Sequence, residues 1–195
     1  MFNRGKSTLF RTRPYDDLSG VYLVDPVHST VGLSAQHTCL RGKFTTFEGI
    51  LRLDGSRPTR SAVHLSVQTG SFQTGSPEGE AHVAGPDFLD AATFPLMTFR
   101  STGLLDAGDD PVRVVGHLRI KGLELPVHID LEFGGAHQDV RGRHRVGFKA
   151  RATLQRSHWG LDGNPALAPG GSLISDKVKL TLDISAVQVQ RAEAA

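Results

Sequence analysis

The sequence predicts an all-β protein whose strands close into one antiparallel barrel. Three observations carry the prediction. Apolar residues recur at every second position over eight segments, the signature of strands with one buried face. The 195 residues include 22 Gly and 10 Pro, a punctuation that suits short strands and turns better than long helices. No long amphipathic helix is available to cover an open sheet. The shared apolar face must then be hidden by closing the sheet on itself, which also removes its edges. An up-and-down barrel follows, with a two-sheet sandwich as the alternative.

The elements follow in chain order. In 31–39, Val31, Leu33, Ala35, His37 and Cys39 share one parity. Segment 43–53 alternates less cleanly. In 61–69, Val63, Leu65 and Val67 oppose His64, Ser66 and Gln68. Segment 96–104 is again irregular. Segment 112–120 sets Val112, Val114, Gly116, Leu118 and Ile120 on one side, and 125–133 does the same with Leu125, Val127, Ile129, Leu131 and Phe133. The last two strands are 146–154, around Phe148, Ala150 and Ala152, and 178–184, around Leu180, Leu182 and Ile184. Short links such as Lys121-Gly122 and Gly134-Gly135 make consecutive strands antiparallel neighbours. Two links are longer. In 72–93, Pro86 after Gly85 predicts the opening of a short helix with Asp87 in its first turn. The other, 155–172, is too rich in Gly and Pro for regular structure.

Hydrophobic residues make up 38% and charged residues 22%, enough for one core. The sequence places one barrel domain over 20–190, between a flexible basic arm (1–19, with Arg4, Lys6, Arg11 and Arg13) and a tail (191–195). A net charge of +2, with cations spread along the chain, argues against a nucleic-acid partner, which needs a concentrated basic stripe. No apolar run of signal-peptide or membrane-spanning length is present, so a cytoplasmic protein without a membrane span is expected. Cys39 is the single cysteine, which forbids an internal disulfide.

His28 and His37 are nine residues apart. On one extended strand they lie roughly 30 Å apart and point to opposite faces. They therefore cannot share a metal, and no HExxH, H-x-H or Cys/His cluster occurs elsewhere. No metal and no cofactor are expected. His37 falls on the inward face, either satisfied within the barrel wall or as a polar contact at a cavity mouth. Nucleophile-elbow, P-loop and dinucleotide-binding patterns are absent, and no catalytic residue is assigned.

An ordered set of short motifs spans 20–189. It runs from Asp25-Pro-Val-His-Ser through His37 and Gly42-Lys-Phe44-Thr-Thr-Phe47-Glu-Gly49. His82, Asp87-Phe88-Leu-Asp90, Phe94-Pro95, Phe99 and Ser101 follow. Gly116-His-Leu118-Arg-Ile-Lys-Gly122, Arg156-Ser-His-Trp159-Gly160 and Ser175-Asp176 complete it. The chain resembles the YceI-like family of lipocalin-like polyisoprenoid-binding proteins. That resemblance implies an eight-stranded antiparallel lipocalin-like barrel with short helical insertions. It also implies an apolar lumen holding a long isoprenoid chain, and no catalysis. Trp159 stands where the family usually has Phe, and a signal peptide of the kind common among its members is not expected here.

Inward residues as small as Ala35, Gly49, Gly116 and Ala150 either leave room in the lumen or fit the taper of a packed core. Strands of about eleven residues, tilted near 40°, make a lumen ~28 Å tall. The expected ligand-binding residues are Val31, Leu33, Ala35, His37, Phe47, Leu65, Val67, Met97, Phe99, Leu118 and Phe148, with Phe88, Phe94 and Trp159 closing the mouth from the long loops. Arg156 either meets a phosphate or carboxylate head group or is pinned by Asp162 or Asp176. The expected partner is an isoprenoid or other long-chain lipid that is bound, stored or transported, with homodimerisation left open. Two other functions remain: an enzyme acting on a prenyl-type substrate with His37 or His158 as acid or base, and a packed barrel serving only as an interaction module.

Overall fold

Alternating burial along the strands makes the barrel. The computed structural model describes residues 18–35, 40–105, 112–162 and 175–189. His37, Cys39, the arm up to residue 17 and the tail lie outside the described residues. Eleven strand segments form one sheet. They are β1 (Gly20–Val24), β2 (Thr30–Ala35), β3 (Arg41–Phe44), β4 (Phe47–Leu53), β5 (Ala62–Gln68) and β6 (Phe72–Gln73). After an α-helix, α1 (Pro77–Ala84), come β7 (Leu96–Leu105), β8 (Val112–Ile120), β9 (Leu123–Gln138), β10 (His144–Gln155) and β11 (Lys177–Gln188).

The segments combine into eight staves. A single 3-10 turn, Pro26–His28, divides β1 from β2. Asp25 caps it, accepting from the Val27 N–H at 3.1 Å. Thr45 and Thr46 divide β3 from β4, and Thr69–Ser71 divides β5 from β6. Every pairing is antiparallel, and β11 closes the ring by pairing with β2 over 178–183 and with β1 over 186–188. The barrel, its antiparallel order and the inward parity match the sequence reading. The segment β1 adds to it: Val24 pairs with Ala186 and continues the stave that the alternation placed only at 31–39.

Two local expectations are corrected. Gly134 and Gly135 make no turn, because β9 runs on to Gln138. Between the pairs Phe148–Phe133 and Gly147–Gly135, Gly134 is an extra residue, a bulge with Gly135 at φ 116°. The hairpin turns instead at 139–143, where Asp139 Oδ1 accepts the N–H groups of Arg141 and Arg143 at 2.9 and 3.0 Å. The short helix begins at Pro77 rather than Pro86. Ser76 caps it, and Gly85, ahead of Pro86, is forced into extended backbone that ends it. Residues 85–94 continue as turns tied by Asp90 N–H to Gly85 O at 2.8 Å and Phe94 N–H to Asp90 O at 2.8 Å.

These turns and a 3-10 turn, Arg156–Trp159, close one end of the barrel. Phe88 is 1% exposed and Trp159 4%. The Trp159 indole Nε1 donates to Leu118 O at 3.2 Å, pinning the plug to the barrel wall. Beneath it pack Phe44 and Phe72, with ring centroids 5.0 Å apart. Thr69, fully buried, donates to Phe94 O at 2.7 Å. Fully burying one such aromatic is worth ~1.5–3 kcal/mol.

Candidate ligand site

The other half of the barrel is not filled. A cavity of about 170 Å³ lies there, and all eight staves contribute to its wall. Val24 comes from β1, Leu51 and Leu53 from β4, Val63 and Leu65 from β5, and Phe99, Ser101 and Leu104 from β7. Val112 and Val114 come from β8, Ile129, Leu131 and Phe133 from β9, Phe148 and Ala150 from β10, and Leu182 and Ile184 from β11. Leu18, which the sequence places in the arm, is 9% exposed and joins the wall. The Tyr22 hydroxyl donates to its carbonyl at 3.0 Å. The 54–61 loop, through Asp54, Gly55, Pro58 and Ser61, forms the rim.

The lining has three polar side chains, and each is already engaged. Ser61 Oγ accepts the Asp54 N–H at 3.0 Å, and Ser101 Oγ accepts the Val63 N–H at 2.8 Å. Asp54 Oδ1 accepts from Ser56 Oγ and from the Arg57 N–H, both at 2.8 Å. Those bonds, Ser56 first, hold its carboxyl below the usual range. The wall thus offers hydrocarbon and little else, so it discriminates by shape and length.

The expected site residues divide between the two halves. Leu65, Phe99 and Phe148 border the cavity, and the Phe148 ring packs against Phe133 at 5.4 Å. Val31, Leu33, Ala35, Phe47, Val67, Met97 and Leu118 are buried in the filled half, outside the lining. Phe88, Phe94 and Trp159 belong to the closed end, opposite the rim. Arg156, 6% exposed, also sits at the closed end. Its Nε donates to Ser175 O at 3.3 Å, and its Nη1 donates to Leu161 O. Its guanidinium lies 5.9 Å from the Phe88 ring centroid. Asp176, one of the two carboxylates expected to pin it, accepts the Ser157 N–H at 2.9 Å and the Ser157 hydroxyl at 3.0 Å, and the Arg156 charge adds to these in holding its carboxyl below the usual range.

The alternation shows the wall residues Val63, Val114, Ile129 and Leu182 as inward-facing, but not as cavity-lining, and it leaves Leu51 unassigned. Parity tells which face a side chain occupies. Height along the barrel axis depends on register and tilt. His28, exposed on the outer wall, shares its Nδ1 with Asp25 Oδ2 at 2.9 Å, and His158 is also exposed. Neither borders the cavity. Among the described residues no cluster of His, Cys, Asp and Glu is arranged to hold a metal, and no helix is long and apolar enough to cross a membrane.

Comparison with known proteins decides the family. The model of the YceI-like domain matches residues 22–186, most of the chain. The chain belongs to the YceI-like family. It is 31% identical to a UPF0312 protein of Vibrio vulnificus (strain YJ016), over 76% of this chain and 81% of that one. It is 30% identical to a UPF0312 protein of Pseudomonas savastanoi pv. phaseolicola, over 87% and 86%. Among solved structures, Burkholderia cenocepacia BcnA aligns with a TM-score of 0.73 at 22% identity, covering 83% of this chain and 98% of BcnA. A polyisoprenoid binding domain from Saccharophagus degradans, implicated in plant cell wall breakdown, aligns at 0.60 and 16% identity, covering 86% and 98%. The YceI-like barrel seen here is thus a shared architecture, half plug and half cavity in this chain.

Proposed function

We propose that the protein binds an apolar chain, an isoprenoid or similar lipid, non-covalently in the open half of the barrel, for storage or transport and without catalysis. The observation that carries this reading is the cavity: every stave gives it hydrocarbon, and its few polar side chains already accept hydrogen bonds from the protein itself. The polyisoprenoid binding named for the Saccharophagus degradans domain supports the ligand class. Cytoplasmic placement belongs to the same reading and is checked by cell fractionation.

Size decides how such a ligand sits. An apolar cavity of about 150 Å³ accepts benzene, so 170 Å³ takes little more than one prenyl unit. Burying its five carbons contributes ~3–4 kcal/mol at most, a dissociation constant near 1 mM on its own. A longer chain enters tail first and lays its remainder on the rim formed by the 54–61 loop. Native mass spectrometry of the purified protein tests the reading. A bound mass that leaves on organic extraction and is replaced by geraniol is the expected result. A barrel that carries no lipid and takes up no geraniol would overturn it.

A further inference from the structure

The boundary between plug and cavity lies at one side chain, and we infer that Phe99 is the floor that sets how deep, and hence how long, a chain the barrel admits. This rests on the binding proposed above. Phe99 is inward-facing on β7, 7% exposed, and among the deepest residues bordering the cavity. It sits between Leu65 on β5 and Leu118 on β8, its ladder partners on either side. Leu65 borders the cavity and Leu118 does not. One step further toward the plug, Met97 and its partner Val67 are buried and outside the lining.

The ring lies over Gly116, two residues along β8 from its ladder partner Leu118, where no side chain stands to displace it. A Cβ built on Gly116 would come within 2.6 Å of two Phe99 ring carbons. The glycine therefore does the opposite of what its size suggests. Small inward residues usually leave volume, but the space over this one is taken by the neighbouring ring. Leu65, its partner on β5, packs over Gly49 in the same way: a Cβ on Gly49 would lie 3.1 Å from its Cδ1 and 2.8 Å from Val24 Cγ2.

The geometry makes a length gauge. Each further methylene buried is worth about fourfold in affinity, so affinity climbs with chain length until the tail meets Phe99. Beyond that point extra carbons gain only rim contacts. Isothermal titration with prenol, geraniol, farnesol and geranylgeraniol reads this directly. Wild type should tighten from prenol to geraniol and then level off. Phe99→Ala should move the plateau to a longer alcohol, with the farnesol-to-geraniol affinity ratio rising tenfold or more. Phe99→Trp should move it to a shorter one, and Phe99→Leu, which keeps most of the packing, should raise the ratio by a smaller factor. Phe72→Leu, a core change in the filled half, controls for general loosening and should leave the ratio as in wild type. A wild type whose affinity climbs evenly through geranylgeraniol, or a Phe99 series that scales all four alcohols equally, overturns the gauge while leaving the binding function standing. Failure of wild type to bind any of the four would reject the binding function and the gauge with it.

Discussion

Arg145 joins Asp25, at the break in the first stave, to Asp139 of the β9–β10 hairpin. Its Nη1 meets Asp25 Oδ2 at 2.8 Å and Ser185 Oγ at 3.3 Å, while its Nε lies 3.5 Å from Asp139 Oδ2. Asp25 also caps the 3-10 turn between β1 and β2, and its Oδ2 lies 2.9 Å from His28 Nδ1. The Asp25-Pro-Val-His-Ser motif is thus a structural clip on the outer wall. Burial works against ionisation of Asp25, but bonds from Arg145 and His28 outweigh it, and its carboxyl lies below the ordinary range. Asp139 lies far below it, chiefly through the Arg143 N–H. Both groups bind protons more tightly in the unfolded chain, where the carboxyl titrates near 4. Their stabilisation is therefore complete above that value and is lost as pH falls through the folded values. The melting temperature should hold steady down to about pH 5 and fall below about pH 4. Calorimetry across that range should show a shallower acid limb for Asp25→Asn combined with Asp139→Asn. An acid limb of unchanged slope in the double variant would refute the role given to the clip.

Among the elements, the link between β8 and β9 shows how much a turn can carry. Lys121 and Gly122 both have positive φ, 48° and 78°, and Ile120 pairs directly with Leu123. That is the two-residue hairpin whose twist matches the strands it joins. The lysine earns its strained backbone by donating Nζ to Pro86 O at 2.8 Å, which ties the plug's turns to the barrel. At Gly122 a Cβ would stand 2.8 Å from the Phe94 ring. Gly122→Ala therefore meets both a backbone penalty of ~1–2 kcal/mol and a clash with the plug. Urea unfolding should show a lower midpoint at unchanged slope; a midpoint equal to wild type would mean the turn and plug absorb the change freely. This turn was legible in the sequence because Lys-Gly falls between two alternating runs. The strands were legible for the same reason, since a period of two is a local property. The bulge at Gly134 was not, because a Gly-Gly pair reads alike as turn or bulge until the partner strand fixes the register. The helix start was misread at Pro86, since two prolines compete and only the capping serine ahead of Pro77 separates them. Phe88 and Trp159 are expected from the sequence to close the mouth of the cavity, but they pack at the filled end, and the cavity lies at the other.

At the scale of the whole molecule, the barrel is one sheet whose closure falls to the end of its last strand. β11 pairs along its whole length with β10, from Lys177 to Val187, but its other edge is shared between two segments. Its first half holds β2, beside the plug. Only Ala186, Val187 and Gln188 hold β1, beside the cavity, with the Val189 N–H donating to Val21 O at 2.8 Å as the last link. Ala186 is fully buried between Val24 and Val146, so this seam is packed as well as hydrogen-bonded. The asymmetry of filling has its counterpart here. The plugged half is held by aromatic packing, and the hollow half depends on ladder closure because it has little core to collapse upon. A chain ending at Ile184 tests this division. It keeps every ladder of the plugged half and loses the β1–β11 seam together with the last three β10–β11 pairs, at Ser185, Ala186 and Val187, a few backbone bonds at about 1 kcal/mol each. The melting temperature should drop by about 10 °C, while far-UV circular dichroism stays that of a β-sheet protein. Geraniol uptake should be lost, because Val24 and Leu18 would no longer be held against the opposite wall. Uptake at full-length affinity by the shortened chain would show that the cavity needs no closed ring, and that β1 is carried by β4 alone.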